Sequence, residues 1–158
     1  MISIKTTIND IGLRVGLGRI EQRMRNPSLA LQECGLILLR SIAKTFEAGG
    51  RPKKWPVSLR AKATGGRTLI KTARLMRSIT MDVQGDTLSV GTNVKQARIH
   101  QLGGTIKPRT AKELIFFAAG IGWRIVKKVT IPARPFLVVQ DEDWRMFKRI
   151  VADYVTEG

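Results

Sequence analysis

Apolar side chains recur every three or four positions from Leu29 to about Glu47, and this stretch is the strongest element the sequence predicts. Leu31, Cys34, Leu38, Ile42 and Phe46 share one helical face, Ile37 and Leu39 widen it, and Gln32, Arg40, Lys44 and Glu47 lie outside. Asn26-Pro27-Ser28 sets its start: a residue before proline avoids the helical region, and the Ser28 hydroxyl can accept the first free N–H groups. Gly49-Gly50 ends it. An earlier helix is expected from a cap at Asn9 or Asp10 to about Arg25, with Ile11, Val15, Ile20 and Met24 inward. Its three glycines, Gly12, Gly16 and Gly18, point to close packing on a neighbour. A short alternating strand, Ile2-Ser3-Ile4-Lys5, precedes it.

Further along, the period changes to two. Ile79 to Val83 alternates, Gly85-Asp86 turns, and Leu88 to Val90 returns, which predicts a β-hairpin. The strand breaks at Gly91, and Asn93 is expected to cap a short helical segment. There Val94, Ala97 and His100 lie at three-residue spacing, and Gly103-Gly104 ends the segment. A second hairpin opens at Lys107-Pro108-Arg109, runs out over Glu113–Ala118, turns at 119–122 and returns from Trp123 to Ile131. It is the expected protruding arm, over 107–131. Pro132 and Pro135 keep the next segment extended into a last strand at Leu137-Val138-Val139. Asp141 then opens a terminal helix whose first turn, Asp141, Glu142 and Asp143, suits the helix dipole without any metal. The fold class is therefore α+β: an antiparallel sheet with two β-hairpins, built from 79–83, 88–91, 113–118, 123–131 and 136–139. It packs against the long amphipathic helix, with N- and C-terminal helices besides.

Between helix and hairpin lie two less regular stretches. Residues 51–66 mix Pro, Gly and basic residues around Trp55 and read as an ordered basic loop with one helical turn at 58–63. Trp55 either pins that loop to the body or helps it hold a nucleic acid or an adjoining subunit. Residues 68–78 read as a short amphipathic helix.

The 158 residues make one domain, 1–158, and 43% apolar content provides for a core. The apolar runs are too short to span a bilayer, and no charged-then-apolar leader is expected, so a membrane is not among the expected partners. A lone cysteine, Cys34, cannot form an internal disulfide and reads as a small buried hydrophobe. Charge changes the picture more. The net +16 is uneven: residues 1–50 carry seven basic and four acidic side chains, 51–80 nine and none, and 81–158 twelve and eight. A block such as the middle one must meet a polyanion or lie against an acidic neighbour.

The inventory for catalysis is poor. There is one histidine, one distant cysteine and no metal-ligand or phosphate-loop spacing; the run GLRVGLG does not have the spacing of a dinucleotide loop. Outside the terminal cluster, residues 48–140 carry only Asp82, Asp86 and Glu113 as carboxylates. No enzyme activity, cofactor or metal is expected, and His100 reads as a packed structural residue.

Five separated motifs stand in order: Trp-Pro-x-Ser-Leu at 55–59, Leu-Ile-x-Thr-x-Arg-Leu-x-x-Ser-Ile at 69–79, Val-Gly-Thr-Asn-Val at 90–94, Ala-Arg-Ile-His-Gln-Leu-Gly-Gly at 97–104 and Ile-Pro-Ala-Arg-Pro-Phe-Leu at 131–137. Together they resemble the phage virion morphogenesis family, which includes the Mu-like G protein and tail completion proteins, over roughly residues 28–155. Position 73 is Ala where the family pattern favours Gly, and position 96 is Gln where an aromatic is common. The resemblance implies a structural component of the neck or upper tail, active in tail completion or head–tail joining. It would assemble with itself as a ring, most often sixfold, and touch neck, connector or tail-tube proteins. It implies a protein made in the host cytoplasm and ending in the virion, with non-specific contact to DNA in the channel an open question. Trp55, Arg74, His100, Gln101, Gly103, Gly104, Pro132, Arg134, Pro135 and Phe136 are then assigned to fold and assembly geometry. Arg51, Lys53, Lys54, Arg60, Lys62 and Arg67 are assigned to docking on acidic surfaces of partners. The alternative is a free basic nucleic-acid-binding protein, whose duplex affinity would fall steeply with salt.

Overall fold

The computed structural model describes residues 11–156; the expected strand at 2–5 and the helix cap at Asn9 or Asp10 lie outside them. The elements run α1 (Ile11–Arg25), α2 (Ser28–Ala48), α3 (Leu59–Thr64), α4 (Arg74–Arg77), β1 (Thr80–Gln84), β2 (Thr87–Gly91), α5 (Ala97–Leu102), β3 (Gly104–Ile106), β4 (Leu114–Ala118), β5 (Gly122–Val126), β6 (Val129–Ile131) and α6 (Asp141–Thr156). The class is α+β, as the sequence implied.

Helix α2 is the spine. Cys34, Ile42 and Phe46 are buried and Leu31 and Leu38 partly so, on the face that the periodicity marks. Phe46 packs edge-on against Trp55, with ring centroids 5.5 Å apart, and tilts against Phe136 at 5.3 Å. Fully burying side chains of this size contributes about 1.5–3 kcal/mol each. The helix ends at Gly49 in the left-handed conformation with φ 68°, but its start is not capped as expected. Pro27 holds the N-cap place, and the Ser28 hydroxyl donates to Asn26 Oδ1 at 2.7 Å instead.

The β1–β2 hairpin lies across α2, and Gly35 allows the approach, since a Cβ there would overlap the Met81 sulfur. The predicted single sheet does not form. Among the described residues there are three two-stranded antiparallel ribbons, β1–β2, β3–β6 and β4–β5. The long return arm 123–131 is split at Lys127-Lys128: its first half pairs with β4, and its second half crosses to pair with β3. The strand expected at 137–139 does not form: the chain bends at Leu137 and the segment joins no ribbon among the described residues, although it lines one cavity with Leu88 and Val90 of β2. Helix α5 begins at Ala97, three residues later than a cap at Asn93 requires, because the Thr92 hydroxyl accepts the Val94 N–H and Ala97 N–H bonds the Val94 carbonyl. The amphipathic helix expected over 68–78 shrinks to α4.

Helix α6 is tied to α2 by polar contacts that periodicity does not reveal. Asp143, 3% exposed, accepts from the Ser41 hydroxyl at 2.7 Å and from the Gln140 N–H at 2.8 Å. Arg51 then closes the network onto Ser41 Oγ at 2.7 Å, Thr45 Oγ1 at 3.3 Å and Glu142 at 2.9 Å. Buried polar groups so paired stay inexpensive and fix one arrangement of the two helices. Helix α1 departs most from expectation. Val15 and Met24 are exposed rather than inward, and a Cβ on Gly12, Gly16 or Gly18 would meet nothing within 4 Å, so these glycines serve no close packing within the described chain. The helix is held to α6 at one end, where the Arg23 guanidinium donates to the Tyr154 carbonyl and stacks over its ring at 5.5 Å. No helix among the described residues is long and apolar enough to cross a membrane.

Candidate functional site

The five motif segments, far apart in sequence, are bonded into one unit. The Arg134 N–H donates to the His100 carbonyl at 2.7 Å, bringing the fourth motif onto the fifth. Gln101 extends the junction: its Oε1 accepts from the Phe136 and Leu137 N–H groups at 2.9 and 3.0 Å, and its Nε2 donates to the Leu137 carbonyl at 3.2 Å. The first motif joins through Trp55, whose indole N–H donates to the Pro135 carbonyl at 2.9 Å, and through Arg134, whose Nε donates to the Pro56 carbonyl at 2.8 Å. The second and third meet where the hydroxyls of Ser78 and Thr92 stand 2.6 Å apart.

Gly103 is where this unit is tightest. At φ 72° it occupies a conformation that side chains disfavour, and a Cβ there would stand 2.7 Å from Ala133 N and 3.0 Å from the Ile131 carbonyl oxygen. The following Gly104 starts β3 opposite Ile131 of β6. Pro132 and Pro135 are exposed and hold the segment extended, so that Arg134 and Phe136 turn inward to 5% and 0% exposure.

Beside this junction opens a cavity of about 430 Å³. Arg60, Lys71, Arg74, His100 and Arg134 line it with the apolar Leu69 and Leu75, and no carboxylate among the described residues does. Two of its wall residues, Leu69 at φ 61° and Ala73 at φ 56°, are non-glycine residues in the left-handed region. Such backbone carries about 1–3 kcal/mol of strain and persists where the surroundings hold it. Burial lowers the Arg134 pKa from its ordinary value. Burial, and then the Arg134 charge, likewise depress that of His100, whose Nδ1 is buried without a hydrogen-bond partner. Cations gathered without an acid carry a desolvation cost that an incoming oxyanion would offset. The arrangement can hold a carboxylate or phosphate oxygen by charge and by the planar fork of arginine. Cys34 is no nucleophile for it: burial and the neighbouring Glu33 raise the thiol pKa.

The basic residues singled out in the sequence divide. Lys53, Lys54, Lys62 and Arg67 are exposed, whereas Arg51 is committed to the Ser41–Glu142 network and Arg60 is half-buried in the cavity wall, donating to the Arg67 carbonyl. Of the six assigned to docking, Arg51 thus has its guanidinium engaged within the subunit. Lys71 of the cavity was not singled out, although it stands inside the 69–79 motif two residues before Ala73.

A model of the phage virion morphogenesis family matches residues 8–156. The chain is also similar to Mu-like prophage FluMu G protein 2 of Haemophilus influenzae strain Rd. The two are 33% identical over 138 residues, covering 87% of this chain and 85% of that protein. No solved structure matches.

Proposed function

This chain belongs to the phage virion morphogenesis family, and from that premise we propose that it is a non-enzymatic structural subunit of the neck or upper tail. It forms a homo-oligomeric ring, sixfold in the simplest case, and acts in tail completion or head–tail joining. The observation that carries the reading is the acid-free basic cavity, in which Arg74, His100 and Arg134 from three separate motifs meet beside Lys71. A cavity so charged, walled in part by Leu69 and Leu75, fits a carboxylate on an aliphatic stem better than it fits the convex backbone of a duplex. Its partner on this reading is an acidic segment of an adjacent connector, neck or tail-tube protein, and charge complementarity would register the docking.

The test is complementation of the encoding phage, deleted for this gene, with wild type or with Arg74→Glu. Arg74 is exposed, so the variant retains its fold. The expected result is unjoined heads and tails, or incomplete tails, with the variant alone. Joined, infectious particles at wild-type yield would overturn the reading. So would an isolated subunit that binds duplex DNA tightly with a steep salt slope, which is the behaviour of a free nucleic-acid-binding protein.

A further inference from the structure

The β4–β5 arm carries an apolar face left exposed among the described residues. Ile115 stands opposite Ile125 and Phe117 opposite Trp123 in the register of the ribbon, and all four are 61–71% exposed. The two rings contact only edge to face, with centroids 5.7 Å apart. An isolated two-stranded ribbon is marginal in water, and a contiguous exposed patch of this kind marks an interaction surface.

A second apolar feature is also uncovered. Between β2 and segment 137–139 lies a cavity of about 210 Å³, lined by Leu38 and Ile42 of α2, by Leu88 and Val90, and by residues 137–139. Lined by aliphatic side chains alone, it exceeds the roughly 150 Å³ at which an apolar cavity already takes up benzene.

We propose that these are the two halves of one contact between copies of this chain: the Phe117–Trp123–Ile125 face of one arm seats on the β2/137–139 groove of the next subunit. Charge favours this occupant. The arm and its approaches carry Lys107, Arg109, Lys112, Arg124, Lys127 and Lys128 against the single acid Glu113. Exposed acids stand close to the groove residues along the chain: Asp141 and Glu142 come two and three residues after Val139, the latter shared with Arg51, and Asp86 stands two residues before Leu88. In a chain of net charge +16, three acids flanking the groove segments in sequence suit a basic arm. The arm does not fill its own groove. Its turn rests on α3, where a Cβ on Gly120 would stand 2.8 Å from the Thr64 methyl, and no arm residue lines the groove. Trp123 and Phe117 can each bury about 150–250 Å², a substantial part of the roughly 800 Å² per partner of a stable interface. Because arm and groove are different surfaces, the contact is heterologous and propagates around an axis until it closes. The inference thus deepens the ring reading and rests on it.

The experiment uses the purified full chain and its variants Trp123→Ser, Trp123→Cys and Val138→Cys, with mass followed by sedimentation across a range of concentrations. Trp123 is exposed, so Trp123→Ser should keep the wild-type melt and circular dichroism while its self-association weakens about a hundredfold. Under oxidation, the mixed Trp123→Cys and Val138→Cys proteins should give a disulfide-linked heterodimer, which neither forms alone. Oligomers that persist unchanged in Trp123→Ser overturn the arm-to-groove contact and leave the ring reading standing. A homodimeric cross-link of Trp123→Cys alone overturns it in favour of arm-to-arm pairing. A chain that stays monomeric and gives no mixed cross-link also overturns it, pointing to a different virion protein on the arm; rings seen in imaged particles would then still support the ring reading.

Discussion

The carboxamide of Gln101 meets the backbone of Leu137 at both ends, accepting its N–H at 3.0 Å and donating to its carbonyl at 3.2 Å. One side chain thus does for this segment what a neighbouring strand would do, and its oxygen takes the Phe136 N–H as well at 2.9 Å. Gln101→Ala leaves these partly buried backbone groups without partners. At about 1–3 kcal/mol for each buried polar group left unsatisfied, with some water access, a loss of roughly 2–4 kcal/mol is expected in urea denaturation. Gln101→Asn should fare little better, since its amide is one methylene too short. A loss below a few tenths would mean that the clamp is not formed in solution.

Ala73 sits at φ 56° in the wall of the basic cavity, a left-handed conformation that glycine adopts at no steric cost. Ala73→Gly relieves a left-handed conformation costing about 1–2 kcal/mol, offset in part by the greater freedom of glycine in the unfolded chain. The expected outcome is a net gain of up to about 1 kcal/mol, or roughly 2–4 °C in melting temperature for a domain of this size. Gly103→Ala should do the reverse, because both its φ of 72° and the Ala133 nitrogen oppose a Cβ. If both variants melt together with wild type, these backbone assignments are wrong.

The large cavity costs belong to the residues that are fully enclosed. Phe46 is 1% exposed at the centre of the aromatic cluster, and Phe46→Ala should cost about 3–5 kcal/mol. Leu38 also lines the open groove beside β2, so Leu38→Ala should fall at the low end of the roughly 2–5 kcal/mol range for such truncations. Equal losses in the two variants would show that the groove is covered in the isolated subunit.

Stability should fall as the solution is acidified from about pH 7 to pH 5. The His100 pKa is depressed by burial and by Arg134, below the ordinary 6.5 that the unfolded chain shows. Above that value both states are neutral and the full stability is present. Below it the unfolded state takes up the proton first, and stability drops until the folded pKa is reached. His100→Gln, which cannot titrate, should flatten that limb in melts recorded at stepped pH. A limb that keeps its slope in the variant assigns the proton uptake elsewhere.

Lys53 and Lys54 are exposed, and the Lys54 ammonium donates to the Ala48 carbonyl, so reversing both charges should leave the melt nearly unchanged. On the docking reading, Lys53→Glu with Lys54→Glu blocks head–tail joining or tail completion, scored by electron microscopy of lysates. Assembly that proceeds normally while DNA ejection alone changes would place these lysines at the channel instead.

Periodicity alone determined the parts of this protein in which one element's own residues decide its form. The α2 face, the β1–β2 alternation and the Gly49-Gly50 stop are local consequences of helical spacing, strand pleat and backbone freedom, and they stand where the pattern puts them. The motif order likewise carried the family. What only the tertiary structure decided is which surfaces meet. Lys127-Lys128 reads as part of one alternating strand, yet the chain switches partners there, because pairing with β3 brings Ile131 opposite Gly104 and lets Gln101 hold Leu137. The cavity of Arg60, Lys71, Arg74, His100 and Arg134 gathers side chains separated by up to 74 positions, and Asp143 reaches Ser41 across 102. Hydrophobic spacing records which side of an element avoids water; it does not record which distant polar group will satisfy another, since that depends on where the packed core sets them down.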